Sequence, residues 1–212
     1  MIERILPASV RSAHAREDPP SATLYPAEEE LVARAVPKRR AEFTTVRHCA
    51  RQALASLGEP PAPILRGDRG APIWPAGVVG SLTHCAGYRA AAVAHAADVA
   101  GIGIDAEVHG PLPAGVLDLV SLPGEREHLS ALAAGSGTWW ERLLFSAKES
   151  VYKVWFPRTG EWLGFEEAAV TFHPEAGSFT ARLLRTGPFT ELHGRFLVDD
   201  GIVLTAIVLD PS

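Results

Sequence analysis

Cysteine is scarce in this chain of 212 residues. Cys49 and Cys85 are the only two, too few for a disulfide framework, and their number fits a reducing, cytoplasmic setting. Long hydrophobic runs are missing as well. No apolar stretch reaches the roughly 18 residues of a membrane-spanning helix, and residues 1–20 lack the apolar segment of a signal peptide, so no membrane association is expected. A basic excess is also absent: 20 Lys+Arg against 25 Asp+Glu leave a formal net charge of −5, which argues against a nucleic-acid partner. Lysine is nearly missing. Only Lys38, Lys148 and Lys153 occur, arginine supplies every other cationic side chain, and two of the three lysines share the segment KESVYK. There is no internal repeat or low-complexity tract, and the length allows one large domain or two small lobes, each with a core.

What is present reads as α+β. Residues 17–30 (EDPPSATLYPAEEE) suggest an extended lead-in, and a helix is expected from about Lys38 to Leu57, stopped by Gly58 and the PPAP run. Val36, Phe43, Val46, Ala50, Leu54 and Leu57 form its apolar stripe, and Arg39 and Arg47 project beside that stripe. A cation so placed either snorkels to water or meets an anion. Residues 66–75 read as a Gly/Pro loop, followed by strands over 78–83, 90–95 and 99–104 and a Gly/Pro-punctuated stretch over 109–124. A short helix over 125–133 precedes a stronger one from Thr138, a candidate N-cap, to Trp155, with Pro157 expected to end it. Strands over 167–173, 178–185, 192–198 and 202–208 follow, the last two joined by the turn Asp199-Asp200-Gly201. Helices alternating with hairpins in each half imply two lobes, divided here into residues 1–104 and 105–212.

Three constellations could carry chemistry. In Asp105-Ala106-Glu107, at the end of the apolar run VAGIGI, alternation puts two carboxylates on one face. Such a pair needs a cation to stay ionised, and a hard divalent metal supplies it; a solvated strand end meets the spacing equally well. On the helix 138–155, Arg142, Ser146, Glu149 and Lys153 share a sector of about 60° opposite the apolar face. This is either a solvated face with a routine Glu149–Lys153 pair, or a face that meets something other than water, as the nearby Phe145 and Tyr152 suggest. In Gly80-Ser81-Leu82-Thr83-His84-Cys85, the histidine is a poor zinc ligand without a second Cys/His pair, but His84 with Ser81 or Thr83 offers donors to a phosphate.

Two literal motif matches fail. Gly101-Ile102-Gly103-Ile104-Asp105-Ala106 fits a dinucleotide fingerprint, but EVHGPLP cannot begin the required helix. Ser150-Val151-Tyr152-Lys153 fits the S-x-x-K of penicillin-recognising enzymes, yet Ser150 lies near the apolar side and no S-D-N element occurs.

Taken together, KRRAEFTTVRHCARQAL, PPAPILRGDRGAP, VVGSLTHCAGYRAAAV, GIGIDAE, LLFSAKESVYKVWFP and GIVLTAIVL, in that order, resemble the 4′-phosphopantetheinyl transferases of the surfactin/enterobactin-synthetase-activating type. The resemblance implies a monomer of two similar α+β lobes related by a pseudo-twofold, with coenzyme A between them. It implies transfer of phosphopantetheine from coenzyme A to a serine of an apo acyl carrier protein, peptidyl carrier protein or polyketide-synthase carrier domain, with release of 3′,5′-ADP and dependence on Mg²⁺, or Mn²⁺ in its place. By the same resemblance Asp105, Glu107 and Glu149 would hold the metal, Glu149 or Glu107 (directly or through water) would take the serine proton, and Lys153 would stabilise the transition state. Arg39 and Arg47 match positions for the 3′-phosphate, while Ser81, Thr83 and His84 match the phosphate-binding segment. One departure stands out: Gly70-Ala71-Pro72 replaces a G-K-P loop of many relatives, leaving Arg66 or Arg69 to supply the charge. Phe145, Tyr152 and Trp155 would border a carrier-docking patch. A silent coenzyme-A-binding module and a metal-dependent phosphohydrolase are the alternatives.

Overall fold

The computed structural model describes residues 1–134 and 137–211. In chain order the elements are β1 (Arg11–Ala15), α1 (Pro26–Leu31), α2 (Pro37–Leu57), the short strands β2 (Leu65–Arg66) and β3 (Pro72–Ile73), β4 (Val78–Cys85), β5 (Tyr88–His95) and β6 (Gly101–Val108). They continue with α3 (Val116–Val120), α4 (Pro123–Ala133), α5 (Trp140–Thr159), β7 (Ala168–His173), β8 (Ser178–Leu183), β9 (Glu191–Asp199) and β10 (Ile202–Leu209). Among the described residues no helix is long and apolar enough to cross a membrane.

The α+β expectation holds, with one long helix laid on each of two antiparallel sheets. The first sheet has the order β1-β5-β4, and the second β6-β10-β9-β8-β7. Side-chain alternation explains the layering. On β5, Ala91 and Val93 face α2 and pack with Cys49, Ala50, Ala53 and Leu54. Ala90, Ala92 and Ala94 point the other way, onto Ile102, Ile104 and Ala106 of β6 and Leu204 and Ala206 of β10. The opposite face of β10, with Val203 and Ile207, packs under Leu143, Leu144, Ala147, Val151 and Val154 of α5. Strand β5 is therefore buried on both faces, which is why residues 90–94 read as an unbroken run of small apolar residues.

Several local signals act as expected. Gly58 ends α2 in the left-handed conformation, at φ 89°. Asp200 and Gly201, at φ 46° and 73°, make the two-residue turn between β9 and β10. Others differ. The Pro- and Glu-rich lead-in contains α1, because Pro26 suits a first helical turn and Glu28 accepts a hydrogen bond from the Tyr25 amide at 2.9 Å. Val36 lies outside the apolar stripe, exposed at the start of α2. Pro157 does not end α5. It sits in the last turn, where a missing amide costs one bond and Gly160 stops the helix soon after. Thr138 is not the cap, since α5 starts after Trp139 without a side-chain cap. Residues 116–120, read as loop, form α3.

Between the two sheets β4 and β6 run side by side without a backbone ladder. The Ile104 amide donates to Ser81 Oγ at 3.1 Å and the Ala106 amide to Thr83 Oγ1 at 2.9 Å, so two hydroxyls satisfy amides of the neighbouring strand. A boundary between residues 104 and 105 falls inside β6, a strand that pairs with β10 over its whole length.

Candidate active site

The elements enclose one cavity of about 580 Å³ between α2, the 66–74 segment, β4 and the C-terminal half of α5. It gathers Arg39, Arg47, Arg66, Gly70, Ser81, His84, Glu149 and Lys153. Arg69, the other candidate for the missing loop lysine, lines it too.

Arg47 is almost wholly buried. Its guanidinium lies 3.7 Å from the centroid of the Phe43 ring, and Nε donates to the Ile64 carbonyl at 3.3 Å. Burial brings its pKa down to about 10, with the Glu28 carboxylate opposing. Glu28 has no exposed surface: it accepts from the Ile64 amide at 2.8 Å and from Arg51 at 3.0 and 3.1 Å. Arg39 Nη1 stands 2.5 Å from His84 Nε2, and Glu42 lies 3.9 Å from each. An arginine only donates, so Nε2 accepts and the ring proton sits on Nδ1, toward Glu42. Burial, and next the Arg39 charge, hold His84 below the ordinary imidazole range.

The carboxylates sit deeper. Asp105 Oδ1 accepts from Lys153 Nζ at 2.8 Å and from Thr83 Oγ1 at 3.3 Å, and Lys153 also donates to the Ile104 carbonyl at 3.0 Å. Asp105 Oδ2 is buried with no hydrogen-bond partner. Glu107 faces Arg142 at 3.2 Å. Burial, then the Asp105 charge, raise Glu107 to about 6, and the same two causes in the same order raise Glu149. Asp105 thus repels both glutamates here. Among the described residues no set of three His, Cys, Asp or Glu side chains converges closely enough to hold a metal ion by itself. Thr83 is buried against Asp105 and outside the cavity lining, whereas Ser81 and His84 reach the lining.

The polar sector of α5 does not face solvent. Ser146 and Ser150 are fully buried, and their hydroxyls lie 2.9 and 2.7 Å from Thr205 Oγ1 on β10, the residue paired with Asp105. This position removes Ser150 as a nucleophile. Lys148, the first lysine of KESVYK, is also buried: it donates to Glu125 at 2.8 Å and to the Phe165 carbonyl at 2.8 Å, a pair that anchors α4 to α5. The partners of Lys148, Thr205 and Arg142 lie 17 to 59 residues away in sequence, beyond the reach of local spacing. Trp155 has no exposed surface and packs in the core, so it borders no docking patch. The Tyr152 ring packs tilted against Trp162, with centroids 5.1 Å apart, and joins Glu149 in lining a second recess of about 210 Å³.

Family models and curated proteins match this chain along most of its length. Residues 27–94 match the 4′-phosphopantetheinyl transferase N-terminal domain, and residues 101–206 the 4′-phosphopantetheinyl transferase superfamily. The chain is 56% identical to 4′-phosphopantetheinyl transferase Npt of Nocardia iowensis, over 98% of this chain and 99% of that protein. It is 55% identical to Svp of Streptomyces mobaraensis over 99% and 89% of the two chains, and 52% identical to PptT of Mycobacterium tuberculosis over 99% and 98%.

Proposed function

Because the chain belongs to the 4′-phosphopantetheinyl transferase family, we propose that its cavity binds coenzyme A and that Asp105, Glu107, Glu149 and Lys153 carry out phosphopantetheine transfer to apo carrier proteins. The observation that carries this reading is the meeting, at one cavity, of an arginine-lined end and a lysine–carboxylate end. Such a pairing suits a ligand with several phosphates whose diphosphate is cleaved. Acyl, peptidyl and polyketide-synthase carrier domains are the acceptors in this reading, and a monomer with β6 assigned whole to its C-terminal lobe is the working unit.

In the reaction, the carrier serine oxygen forms a bond to the phosphorus bearing pantetheine, and the bond to the bridging oxygen breaks, leaving 3′,5′-ADP. We assign the serine proton to Glu149, which lines the cavity, since Glu107 is engaged by Arg142. Lys153 stabilises charge on the transferring phosphoryl group, and the narrow recess beside Tyr152 suits the pantetheine arm.

The residues present fit a divalent cation. Asp105 Oδ2 is a buried carboxylate oxygen without a donor, beside two carboxylates that its charge already pushes up. Asp105, Glu107 and Glu149, which do not converge on one point by themselves, would hold Mg²⁺ together with phosphate oxygens of the ligand, and the bound ion would offset the charge building on the leaving diphosphate.

Intact-protein mass spectrometry of apo carrier proteins incubated with coenzyme A and Mg²⁺ tests the proposal. The expected result is a phosphopantetheine adduct that EDTA abolishes. Coenzyme A binding without any adduct would mark a silent binding module, and phosphate release without an acceptor would mark a phosphohydrolase.

Two further outcomes follow from the arginine-lined end. Arg47→Ala should weaken coenzyme A binding roughly 10–100-fold, the loss of one or two charge-assisted bonds, and spare dephospho-coenzyme A. Equal losses for both ligands would show that Arg47 does not meet the 3′-phosphate. His84 gives a pH dependence. Its depressed pKa means that the neutral ring favours the fold above about pH 6.5, a contribution lost as pH falls toward the depressed value. A phosphate beside the ring raises its pKa, so binding takes up a proton and affinity strengthens as pH falls from about 7.5 to 6. Calorimetry in buffers of different ionisation enthalpy reads this uptake. Its persistence in His84→Gln would assign the proton elsewhere.

A further inference from the structure

We propose that Arg142 is a positioning residue for the transfer reaction: one guanidinium holds Glu107 beside Asp105 and ties that carboxylate to the backbone of the loop after β6. This rests on the reading that Glu107 belongs to the catalytic set.

All three nitrogens of the Arg142 guanidinium are engaged. Nη1 donates to Glu107 Oε2 at 3.2 Å, Nε to the Gly110 carbonyl at 3.3 Å, and Nη2 to the Pro111 carbonyl. The side chain is only 16% exposed and its bonds to Glu107 and Gly110 are partly buried, so together the three bonds define its position. Arg142 lies in the first turn of α5, and the loop is fastened to that same helix end a second time. There His109 Nε2 accepts from the Trp139 amide at 3.1 Å, while the His109 amide donates to the Gly201 carbonyl at 2.9 Å.

The physical need for such a hold is clear from the charges. Glu107 sits near the end of β6, two residues beyond Asp105, and repulsion between the two carboxylates favours any rotamer that carries Glu107 into solvent. Arg142 supplies the opposing attraction, and its planar fork also fixes direction. A lysine would supply the charge without three bonds in a fixed geometry. Because two of the three bonds go to consecutive carbonyls, the position of Glu107 is set by the loop conformation as well as by its own rotamer.

Arg142→Lys isolates the hold from the charge. In the full-length protein with coenzyme A bound, Mn²⁺ affinity read by electron paramagnetic resonance should fall about tenfold, the usual cost of losing a residue that orients a metal-binding carboxylate. The KM for coenzyme A should stay within about twofold while kcat falls, because the arginine-lined end of the cavity is untouched. Glu107→Gln serves as the reference and should lose Mn²⁺ affinity and kcat together. If Arg142→Lys keeps both at the unsubstituted level while Glu107→Gln loses them, the positioning role is wrong and the catalytic reading stands. If only the melting temperature of Arg142→Lys falls, Arg142 is structural and the proposal fails. If Glu107→Gln itself is unimpaired, the reading beneath the proposal fails instead.

Discussion

Asp105→Asn should slow phosphopantetheine transfer by about 10³-fold or more, because several kcal/mol of transition-state charge stabilisation depend on the carboxylate. The same variant should fold normally and melt at the same temperature as the unsubstituted protein, or higher, when no divalent cation is present. The reason is the state of Asp105 itself. It is 5% exposed, one oxygen has no donor, and its charge pushes both neighbouring glutamates up. A group kept at that cost opposes stability and is retained for what it binds. The amide of asparagine keeps the shape and a neutral acceptor for Thr83 Oγ1 while removing the repulsion. Turnover by mass spectrometry and a thermal melt in EDTA check the two halves independently. Unimpaired turnover would remove Asp105 from the reaction, and a large fall in melting temperature would show that the Lys153 pair matters more to the fold than the buried, donorless oxygen.

Gly103→Ala should destabilise the protein by about 1–3 kcal/mol, the usual penalty for overpacking, and cut transfer by about 10²-fold through displacement of the catalytic helix. A Cβ at this position would be driven into the carbonyl oxygen of Ser150, with Val154 Cγ2 2.8 Å away. The obstructing oxygen belongs to the α5 backbone and cannot rotate aside, so the helix must move off β6. Ser150 adjoins Glu149, and Gly103 shares its face of β6 with Asp105, so that movement separates the carboxylates and pulls Lys153 from its 2.8 Å contact. Gly101→Ala is the matched control. Its Cβ would meet only the flexible Leu209 side chain, at 3.3 Å, and both losses should be small. Equal effects in the two variants would mean that close approach of α5 to β6 is not what sets the site.

Much of this was legible in linear order, and the reason is local. The stripe and terminal glycine of α2, the short apolar runs of β4, β5 and β6, the Asp200-Gly201 turn and the i,i+4 placement of Glu149 and Lys153 depend on neighbours a few residues away. The family motifs add order along the chain, and most of the residues they single out line one cavity. Asp105, Glu107 and Thr83 lie behind that lining, because β6 carries the two carboxylates under Lys153 and beside Arg142, while Thr83 on β4 is buried against Asp105.

Partnership was the part that spacing could not supply. Lys148 and Lys153 are both lysines of one helix, five residues apart, yet one closes a buried pair with Glu125 and the other faces Asp105. Ser146 reads as part of a polar face until β10 brings Thr205 against it, and Arg142 reads as solvated until the loop after β6 folds back to it. The hydrogen-bonding capacity of each side chain is written in its residue type. Which group satisfies it depends on segments that meet only when two sheets and two long helices close around a shared core, and that long-range closure sets the electrostatics on which the chemistry depends.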